Sequence, residues 1–413
     1  MSTATLERLD FDLADLAAIG PELIDNLNAI RNAEAVFWSE IQQGWFVTRH
    51  ADVAAAFRGD FPLSSERLDK IAFASIPEAE WQTRIPLLTT GTPSFANMTD
   101  PPYHARLRKT MNLAFAPKNI EKLRPAVQRR IAEIFGEIED GEAFEFIARI
   151  ARPLTGSVIM GLMGMPAEST AAQLGPWTTA IVNAIGTPRP TPELLEAGEA
   201  AMREMNVIFR AELEKRWESP GEDFLSVLAA AEQEGVLNAA EVLGTCVNTL
   251  LAGHESTAST MAFGTAALAA HPDQLRELLA PDVKISDAVA EIGRYVAMSA
   301  GQTRVAAQDF FWQGKHVKQG DVVYLWMAAA GRDPEVFEQP ERFLLRRDGS
   351  KSLVFGGGIH HCVGHVLAKL QLGEFFPAAF GQFDVAILDD PLDFSGGYSF
   401  RTLSTMNVRF KRR

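Results

Sequence analysis

The sequence predicts a mainly helical protein with a small, segregated β part. Helical periodicity dominates residues 104–300, and its longest run, over 239–270, is apolar almost all round, as in a buried central helix. Strand-like alternation is confined to short stretches near the N-terminus and after residue 300. No linker, repeat or low-complexity tract interrupts the chain, so we expect residues 1–413 to form a single domain.

Composition and charge narrow the class of protein. The net charge of −14 argues against nucleic acid as the main partner. The two cysteines, Cys246 and Cys362, lie far apart in sequence, which favours a reducing compartment over a disulfide scaffold. No apolar run approaches the roughly 18–20 residues of a membrane span, and residues 1–16 lack the pattern of a signal peptide. We therefore expect a cytoplasmic protein without a membrane anchor.

The first hundred residues combine short regular elements with a long irregular segment. Residues 21–43 and 51–58 predict short helices, separated by a strand over 45–48. From 61 to 103 the pattern has no period and contains six prolines. Irregular segments of this length inside a compact domain are usually functional. The apolar side chains of this segment favour a lid, with a loose surface excursion as the alternative.

Helical patterns then follow one another along the middle of the chain. They cover 104–115, 117–138, 141–163, 167–186, 192–217, 223–234, 239–270, 272–280 and 286–298. The proline-rich break at 187–192 predicts a mobile connection. Further on, turn-like sequences at 313–315 and 318–321 and alternating stretches at 383–388 and 401–410 predict the β part.

The predicted central helix carries an unusual sequence, AGHEST, at residues 252–257. Glycine inside a helix costs about 1 kcal/mol relative to alanine, and a buried carboxylate or hydroxyl needs a partner. The combination indicates a gap beside a ligand, where Glu255 and Ser256 supply an acid and an alcohol for proton transfer. The alternative is a structural kink with Glu255 in a buried salt bridge.

A second stretch, FGGGIHHCVG at residues 355–364, places a cysteine at the end of a glycine-rich loop. Glycines allow positive φ and a close approach to a ligand. We expect Cys362 in the first turn of the following helix, which favours a thiolate. One alternative is a buried cysteine in a glycine turn. Another is a zinc hydrolase that uses Cys362 with His361 and His365, although no fourth ligand is nearby.

With these two stretches, the chain resembles the cytochrome P450 family of soluble bacterial type. The family pattern F-G-x-G-x-H-x-C-x-G is matched by Phe355, Gly356, Gly358, His360, Cys362 and Gly364. The resemblance implies the P450 fold, a helical bundle around haem b (iron protoporphyrin IX) with a long central helix. It also implies that Cys362 is the axial thiolate ligand of the haem iron and that Phe355 packs near the sulfur. Gly358 and Gly364 would belong to the loop whose backbone N–H groups tune that sulfur.

Further motifs occur in the family's order. Residues 291–294 resemble its E-x-x-R helix, and residues 332–334 match its R-D-P sequence. The resemblance implies that Glu291, Arg294 and Arg342 form a buried ion-pair triad with a structural role.

Residues 100–108 resemble the family's D-P-P-x-H-x-x-x-R sequence. The resemblance implies that His104 and Arg108 hold one haem propionate, with Arg304 and His360 on the other. A spacing of four residues puts His104 and Arg108 on the same face of a helix, as a carboxylate clamp requires. For each of these cations the alternative is an exposed surface charge.

Two departures from the family pattern bear on function. Ser256 stands where the family usually has threonine, and the resemblance implies that Glu255 and Ser256 deliver protons to dioxygen at the haem. Serine lacks the methyl group that limits the threonine rotamers, so we expect looser coupling of electrons to product. The usual proline after the E-x-x-R helix is Met298, and the small Gly301 is expected to leave room beside the haem.

The resemblance also implies a substrate pocket and a reaction. The pocket positions are Phe95, Asn248, Leu251, Ala252, Gly301 and Phe400. They are mostly apolar, which suits a terpenoid, aromatic or steroid-like substrate. The implied enzyme is a haem-thiolate monooxygenase that inserts one oxygen atom from O2 into a hydrophobic compound, by hydroxylation or oxidative dealkylation. The alternatives are a haem-thiolate peroxygenase and a non-catalytic ligand sensor.

The implied electron donors are a ferredoxin and an NAD(P)H-dependent ferredoxin reductase. The sequence contains no flavin segment and no spare cysteines for an iron–sulfur cluster. A basic patch of Arg106, Arg108, Lys109 and Lys369 is the expected docking surface on an otherwise acidic protein. We expect the enzyme to act as a monomer.

Overall fold

The computed structural model describes residues 9–166, 171–187 and 189–413. In these ranges the α-helices are α1 (Leu16–Ile19), α2 (Leu23–Ala33), α3 (His50–Arg58), α4 (Leu68–Ile71), α5 (Trp81–Arg84), α6 (Pro86–Gly91), α7 (Tyr103–Ala114), α8 (Pro117–Glu121), α9 (Arg124–Gly136), α10 (Arg152–Met163), α11 (Ala171–Gly186), α12 (Pro192–Glu218), α13 (Phe224–Gln233), α14 (Ala239–Ala270), α15 (Pro272–Leu278), α16 (Ile285–Val296), α17 (Met327–Ala330) and α18 (His365–Gln382). The mainly helical fold class is confirmed. None of the helices described is both long and apolar enough to span a bilayer.

The strands of the described part form four small sheets. They are β1 (Val36–Ser39), β2 (Gly44–Val47), β3 (Leu63–Ser64), β4 (Ala143–Glu145), β5 (Gln302–Ala306), β6 (Phe310–Trp312), β7 (Lys315–Val317), β8 (Val322–Leu325), β9 (Phe383–Ile387), β10 (Phe394–Gly397), β11 (Phe400–Leu403) and β12 (Asn407–Arg412). The largest sheet has the order β1-β2-β8-β5-β3, a second has β4-β12-β9, and β6–β7 and β10–β11 are hairpins. Only the β2–β8 pair among them is parallel, with Trp45 opposite Val323.

Helix α14 lies at the centre of the fold and has the bounds that the sequence predicts. Its N-terminus is closed by a capping box, in which Asn238 and Glu241 each accept a backbone N–H bond from the other. Gly253 allows α10 to approach closely, because a Cβ there would lie 2.5 Å from Ile159 Cδ1. Most α14 side chains are buried, so its polar ones must find partners inside the protein.

Tertiary pairing overrides the helical pattern near the N-terminus. The helix predicted over 21–43 is wrong beyond Ala33, because residues 36–47 form the β1–β2 hairpin with Phe37 opposite Phe46. Both rings are buried, and an aromatic cross-strand pair of this kind stabilises a hairpin.

Two further element predictions are wrong because long-range strand pairing overrides the local pattern. The helix predicted from residue 141 is preceded by β4, which pairs with β12, and a π-helical turn over Ile147–Ala151 then leads into α10. The strand predicted over 401–410 is divided into β11 and β12, which belong to different sheets. The first residues of the helix predicted over 167–186 lie outside the described residues.

The segment 61–103 is more regular than its sequence suggests. It contains β3, α4, α5, α6 and several single 3₁₀ turns. Its apolar side chains belong to the main core, with Phe73, Ile85 and Phe95 at most 4% exposed. Six residues of this segment nevertheless line one wall of a cavity beside α14: Arg67, Leu68, Ile71, Phe95, Asn97 and Met98.

Candidate active site

A cavity of about 250 Å³ separates the middle of α14 from the glycine-rich cysteine loop, residues 355–364. Asn248, Ala252 and Ser256 line it from the α14 side. Phe355 and Cys362 line it from the loop side. The two unusual stretches of the sequence therefore face each other across one space.

Cys362 lies at the end of this loop, half-buried, at the wall of the cavity. Its backbone N–H donates to the carbonyl oxygen of Phe355 over 2.9 Å, which closes the loop. The prediction that Cys362 occupies the first helical turn is wrong, because His361 has an extended ψ of 133° and α18 begins only at His365. Burial raises the pKa of the Cys362 thiol, whereas a hydrogen bond from the Gly364 N–H and the charge of Arg108 oppose that rise and favour the thiolate.

Gly358 fixes the loop against the end of α3. Its φ is +60°, and a Cβ at this position would fall on the carbonyl oxygen of Phe57. Only glycine fits such a close backbone approach at a positive φ. The loop is thus held from outside, with its sulfur directed to the cavity.

The four cations predicted to hold propionates gather on one side of this cavity. Arg108, Arg304 and His360 line it, and the His104 ring packs edge-on against the His360 ring at 4.5 Å between centroids. Arg108 donates to the carbonyl oxygen of His361 over 2.5 Å. His360 contacts Ser65 Oγ through Nε2 at 2.9 Å.

Too little negative charge surrounds these four side chains for all of them to be charged. Burial, with the nearby charge of Arg67, lowers the pKa of Arg304 to about 9. Burial and the charge of Arg304 lower the pKa of His360 to about 3. His104 Nε2 is buried without a hydrogen-bond partner among the described residues. The carboxylate that acts on Arg304 is Asp100.

A haem fits this arrangement. Both Asp100 oxygens are already engaged, by the Ser64 hydroxyl at 2.6 Å and the Ser65 N–H at 3.0 Å. Asp100 is one carboxylate for two buried guanidiniums, Arg304 and Arg67, so a further source of negative charge would complete the site. The two propionates of a haem would supply it, and Cys362, on the loop wall of the same cavity, would bind the iron.

The acid and the alcohol of α14 point to different places. Ser256 lines the cavity, and its hydroxyl donates to the Ala252 carbonyl over 2.5 Å. Glu255 accepts a hydrogen bond from Thr178 Oγ1 at 2.8 Å and faces the guanidinium of Arg152 at 3.4 Å. The Arg152 side chain is 38% exposed. Glu255 therefore lies between the surface and the cavity, in the salt bridge that the structural alternative expects.

The predicted pocket residues lie around a second, smaller cavity of about 80 Å³ and its junction with the first. Phe95 and Leu251 line the smaller cavity, whereas Asn248, Ala252 and Phe400 line both.

Gly301 lines neither cavity, so its assignment to the pocket is wrong. A Cβ on Gly301 would point at the Trp326 ring, 3.1 Å away. The adjacent Gln302 lines both cavities. Gln302 begins strand β5, and successive residues of extended chain face opposite sides. Gln302 therefore faces the pocket, whereas its neighbour Gly301 faces the core.

The predicted ion-pair triad is wrong in one member. Glu291 accepts two hydrogen bonds from Arg294, at 2.6 and 2.8 Å. The third cation is Arg347, whose Nε lies 3.1 Å from Glu291 Oε2. Arg342 is exposed and its guanidinium donates to Gln339 Oε1. Arg342 contributes only its backbone carbonyl, which accepts from Arg294.

The zinc hypothesis finds no site. Among the described residues, no three His, Cys, Asp or Glu side chains are grouped so as to hold a metal ion. The His361 and His365 rings pack edge-on, and His365 Nδ1 contacts the carbonyl oxygen of Cys362.

Comparison with known proteins agrees with the site. The sequence matches the family model of cytochrome P450 over residues 179–280 and 285–404. It is 35% identical to 6-deoxyerythronolide B hydroxylase of Saccharopolyspora erythraea over 83% of each chain. It is 31% identical to vitamin D(3) 25-hydroxylase of Pseudonocardia autotrophica over 88% of this chain and 87% of that one. The structure of epothilone B-bound cytochrome P450epoK superposes with a TM-score of 0.87 at 27% identity, covering 97% of this chain and all of the other. The chain therefore belongs to the cytochrome P450 family and is a monooxygenase.

Proposed function

We propose that this enzyme binds haem b through Cys362 and inserts one oxygen atom from O2 into a hydrophobic substrate, by hydroxylation or oxidative dealkylation. The observation that carries the proposal is one cavity with Cys362 on one wall, Arg108, Arg304 and His360 beside it and a polar break in α14 opposite. When bound, the haem supplies the activation of dioxygen, and thiolate ligation favours O–O cleavage.

The residues around the cysteine loop hold and tune the cofactor in this proposal. The Gly364 N–H and the charge of Arg108 stabilise negative charge on the Cys362 sulfur. His104 and Arg108 would hold one propionate, and Arg304 with His360 the other. Burial of Arg304 strengthens its attraction for a carboxylate, because the local dielectric constant is low.

Glu255 and Ser256 provide the proposed proton path. The Ser256 hydroxyl is at the cavity wall, where it can hold a proton beside the reacting oxygen. The Glu255 carboxyl, beside the partly exposed Arg152, can exchange protons with solvent. A rotation of the Glu255 side chain away from Thr178 would bring its proton to the cavity side of α14.

The substrate is proposed to be a hydrophobic compound of small to medium size, of terpenoid, aromatic, steroid-like or polyketide type. The relatives' names include a 6-deoxyerythronolide B hydroxylase and a polyketide biosynthesis cytochrome P450. Apolar and aromatic side chains make up much of the walls of both cavities, and polar ones such as Asn248 and Gln302 lie among them, as in small-molecule sites.

A ferredoxin and its NAD(P)H-dependent reductase are the proposed electron donors, in the cytoplasm. The docking patch is smaller than the sequence suggests, because Arg106 pairs with Glu241 and Arg108 turns inward to the cysteine loop. Lys109 is exposed, and Lys369 lies over the Phe355 ring at 5.6 Å. These two lysines remain as contacts for an acidic partner near the thiolate.

Two measurements test this function. The reduced protein under carbon monoxide should show the red-shifted Soret band of thiolate ligation, and Cys362→Ser should lose it. Product formation should require NAD(P)H, ferredoxin and reductase together. A protein that binds no haem would overturn the proposal, and equal turnover with peroxide alone would favour a peroxygenase.

A further inference from the structure

Arg67 places a buried positive charge at the wall of the smaller cavity. The residue is only 9% exposed and lines this cavity together with Leu68, Ile71 and Phe95. An arginine in such a position normally has a carboxylate beside it. Among the described residues, no carboxylate lies within ion-pair distance of Arg67.

Backbone groups hold the guanidinium in place without neutralising it. Its Nη1 donates to the carbonyl oxygens of Ser65 at 2.8 Å and Asn97 at 3.1 Å. Nε and Nη2 have no acceptor within the part of the chain that the structure describes. Asp100, the carboxylate whose charge acts on Arg67, is already bonded by Ser64 and Ser65. The guanidinium is therefore oriented and keeps donors for a ligand.

The free guanidinium N–H groups of Arg67 lie at the space proposed for the substrate. Cys362, Arg108, Arg304 and His360 line the larger cavity, where the haem fits, and Arg67 lines only the smaller one. The two cavities share the walls formed by Asn97, Asn248, Ala252, Gln302 and Phe400. A molecule that reaches from the haem into the smaller cavity would thus end at Arg67.

We propose that the substrate is a hydrophobic carboxylic acid whose carboxylate binds Arg67, with the bond to be oxidised at its opposite end beside the haem. This proposal rests on the monooxygenase function proposed above. The apolar neighbours Leu68, Ile71 and Phe95 suit the hydrocarbon body of such a molecule. A planar guanidinium matches two carboxylate oxygens, so the same contact fixes the orientation of the substrate.

The test uses probes whose attachment to the haem does not depend on the substrate. Imidazol-1-yl alkanoic acids with chains of six to twelve carbons, and the matched alcohols, bind iron through the imidazole nitrogen and extend a tail into the substrate space. Their affinities for the ferric holoenzyme are read from the red shift of the Soret band. At the chain length that reaches Arg67, the acid should bind about ten-fold to a hundred-fold more tightly than the alcohol.

Three variants identify the source of that preference. Arg67→Gln should bring the acid-to-alcohol ratio close to one, and Arg67→Lys should retain part of it because the charge remains. Leu68→Ala, the control in the same wall, should change both affinities equally. If Arg67→Gln does not fold, the acid-to-alcohol affinity ratios of the unmodified enzyme and of Arg67→Lys still test whether Arg67 binds a carboxylate.

The proposal is overturned if no chain length gives an acid preference or if the preference survives in Arg67→Gln. It is also overturned if Arg67→Gln folds but loses haem, because Arg67 would then hold a propionate. The titration needs neither electron donor nor dioxygen. A failed turnover assay would therefore count against the proposed function and leave the Arg67 result intact.

Discussion

Arg347 Nε lies 3.1 Å from Glu291 Oε2, so the buried Glu291 carboxylate is held between the guanidiniums of Arg347 and Arg294. Arg347 also donates to the backbone carbonyls of Glu338, Gln339 and Arg342. Arg347 therefore links residues 338–347, which precede the cysteine loop, to α16.

Replacement of Arg347 by alanine should destabilise the holoenzyme by about 1–3 kcal/mol, because it leaves part of a buried carboxylate unpaired. Arg342→Ala is the control and should change the free energy of unfolding by no more than about 0.5 kcal/mol, since that side chain is exposed. Urea denaturation followed by circular dichroism measures both. Equal losses in the two variants would contradict the assignment of Arg347 to the triad.

Ser256 is the hydroxyl of the AGHEST stretch that the proton path depends on. In Ser256→Ala, product formation should fall by about ten-fold or more, because proton transfer at the cavity wall is lost. The peroxide released per NAD(P)H consumed should rise at the same time. Ser256→Thr should lower that peroxide yield, because the added methyl group restricts the rotamers of the hydroxyl. An unchanged peroxide yield in Ser256→Ala would remove this side chain from the path.

Gly358→Ala should impair haem incorporation. The added methyl group would meet the Phe57 carbonyl at a φ of +60°, which costs at least about 1–3 kcal/mol and displaces the cysteine loop. The haem-to-protein ratio after purification is the measurement. Gly381→Ala in α18 is the matched control, because a Cβ there meets no atom within 4 Å. Normal haem content in Gly358→Ala would show that the loop can shift without losing its ligand.

His254 should make the stability of the enzyme depend on pH. Burial lowers its pKa to about 4 in the folded protein, from an ordinary value of 6.5. As pH falls, the unfolded chain therefore binds this proton before the folded protein does. The free energy of unfolding decreases as pH falls from 6.5 towards 4, by about 1.4 kcal/mol at pH 5.5. Urea denaturation at pH 8 and pH 5.5 measures this loss.

The control for this prediction is His254→Asn, which keeps a polar group near Thr155 Oγ1, the atom 3.0 Å from His254 Nδ1. In His254→Asn, the loss of unfolding free energy between pH 8 and pH 5.5 should be smaller by about 1.4 kcal/mol. The same difference in both proteins would assign the pH dependence to other groups.

Local signals in the sequence were sufficient for some parts of the fold and not for others. Helix α14 has the bounds predicted from its apolar pattern, and the capping box of Asn238 and Glu241, with Pro272 after its end, is the local signal that fixes them. Strand β2 is predicted as 45–48, but its partner β1 falls within the helix expected over 21–43, and the sheet that holds both strands depends on β8, almost 280 residues further along the chain. Long-range partners of this kind leave little trace in a local pattern.

The site residues divide in the same way. The structure brings Cys362, Arg108, Arg304 and His360 to one cavity, and only the resemblance supplied that long-range relationship. Arg342 and Arg347 are five residues apart in a segment without regular structure, and only the packing shows which one meets Glu291. Arg67 gave no signal at all, because a single arginine in a sequence is most often on the surface.

The shortage of negative charge beside Arg304 and His360 has a consequence for how the protein is obtained from cells. Folding without the cofactor buries Arg304 beside the charge of Arg67 and leaves His360 neutral, whereas a bound haem would bring negative charge to this site and add its own binding free energy to the native state. The fraction of newly made chains that escapes degradation in an expression host should therefore follow the supply of haem precursor in the growth medium.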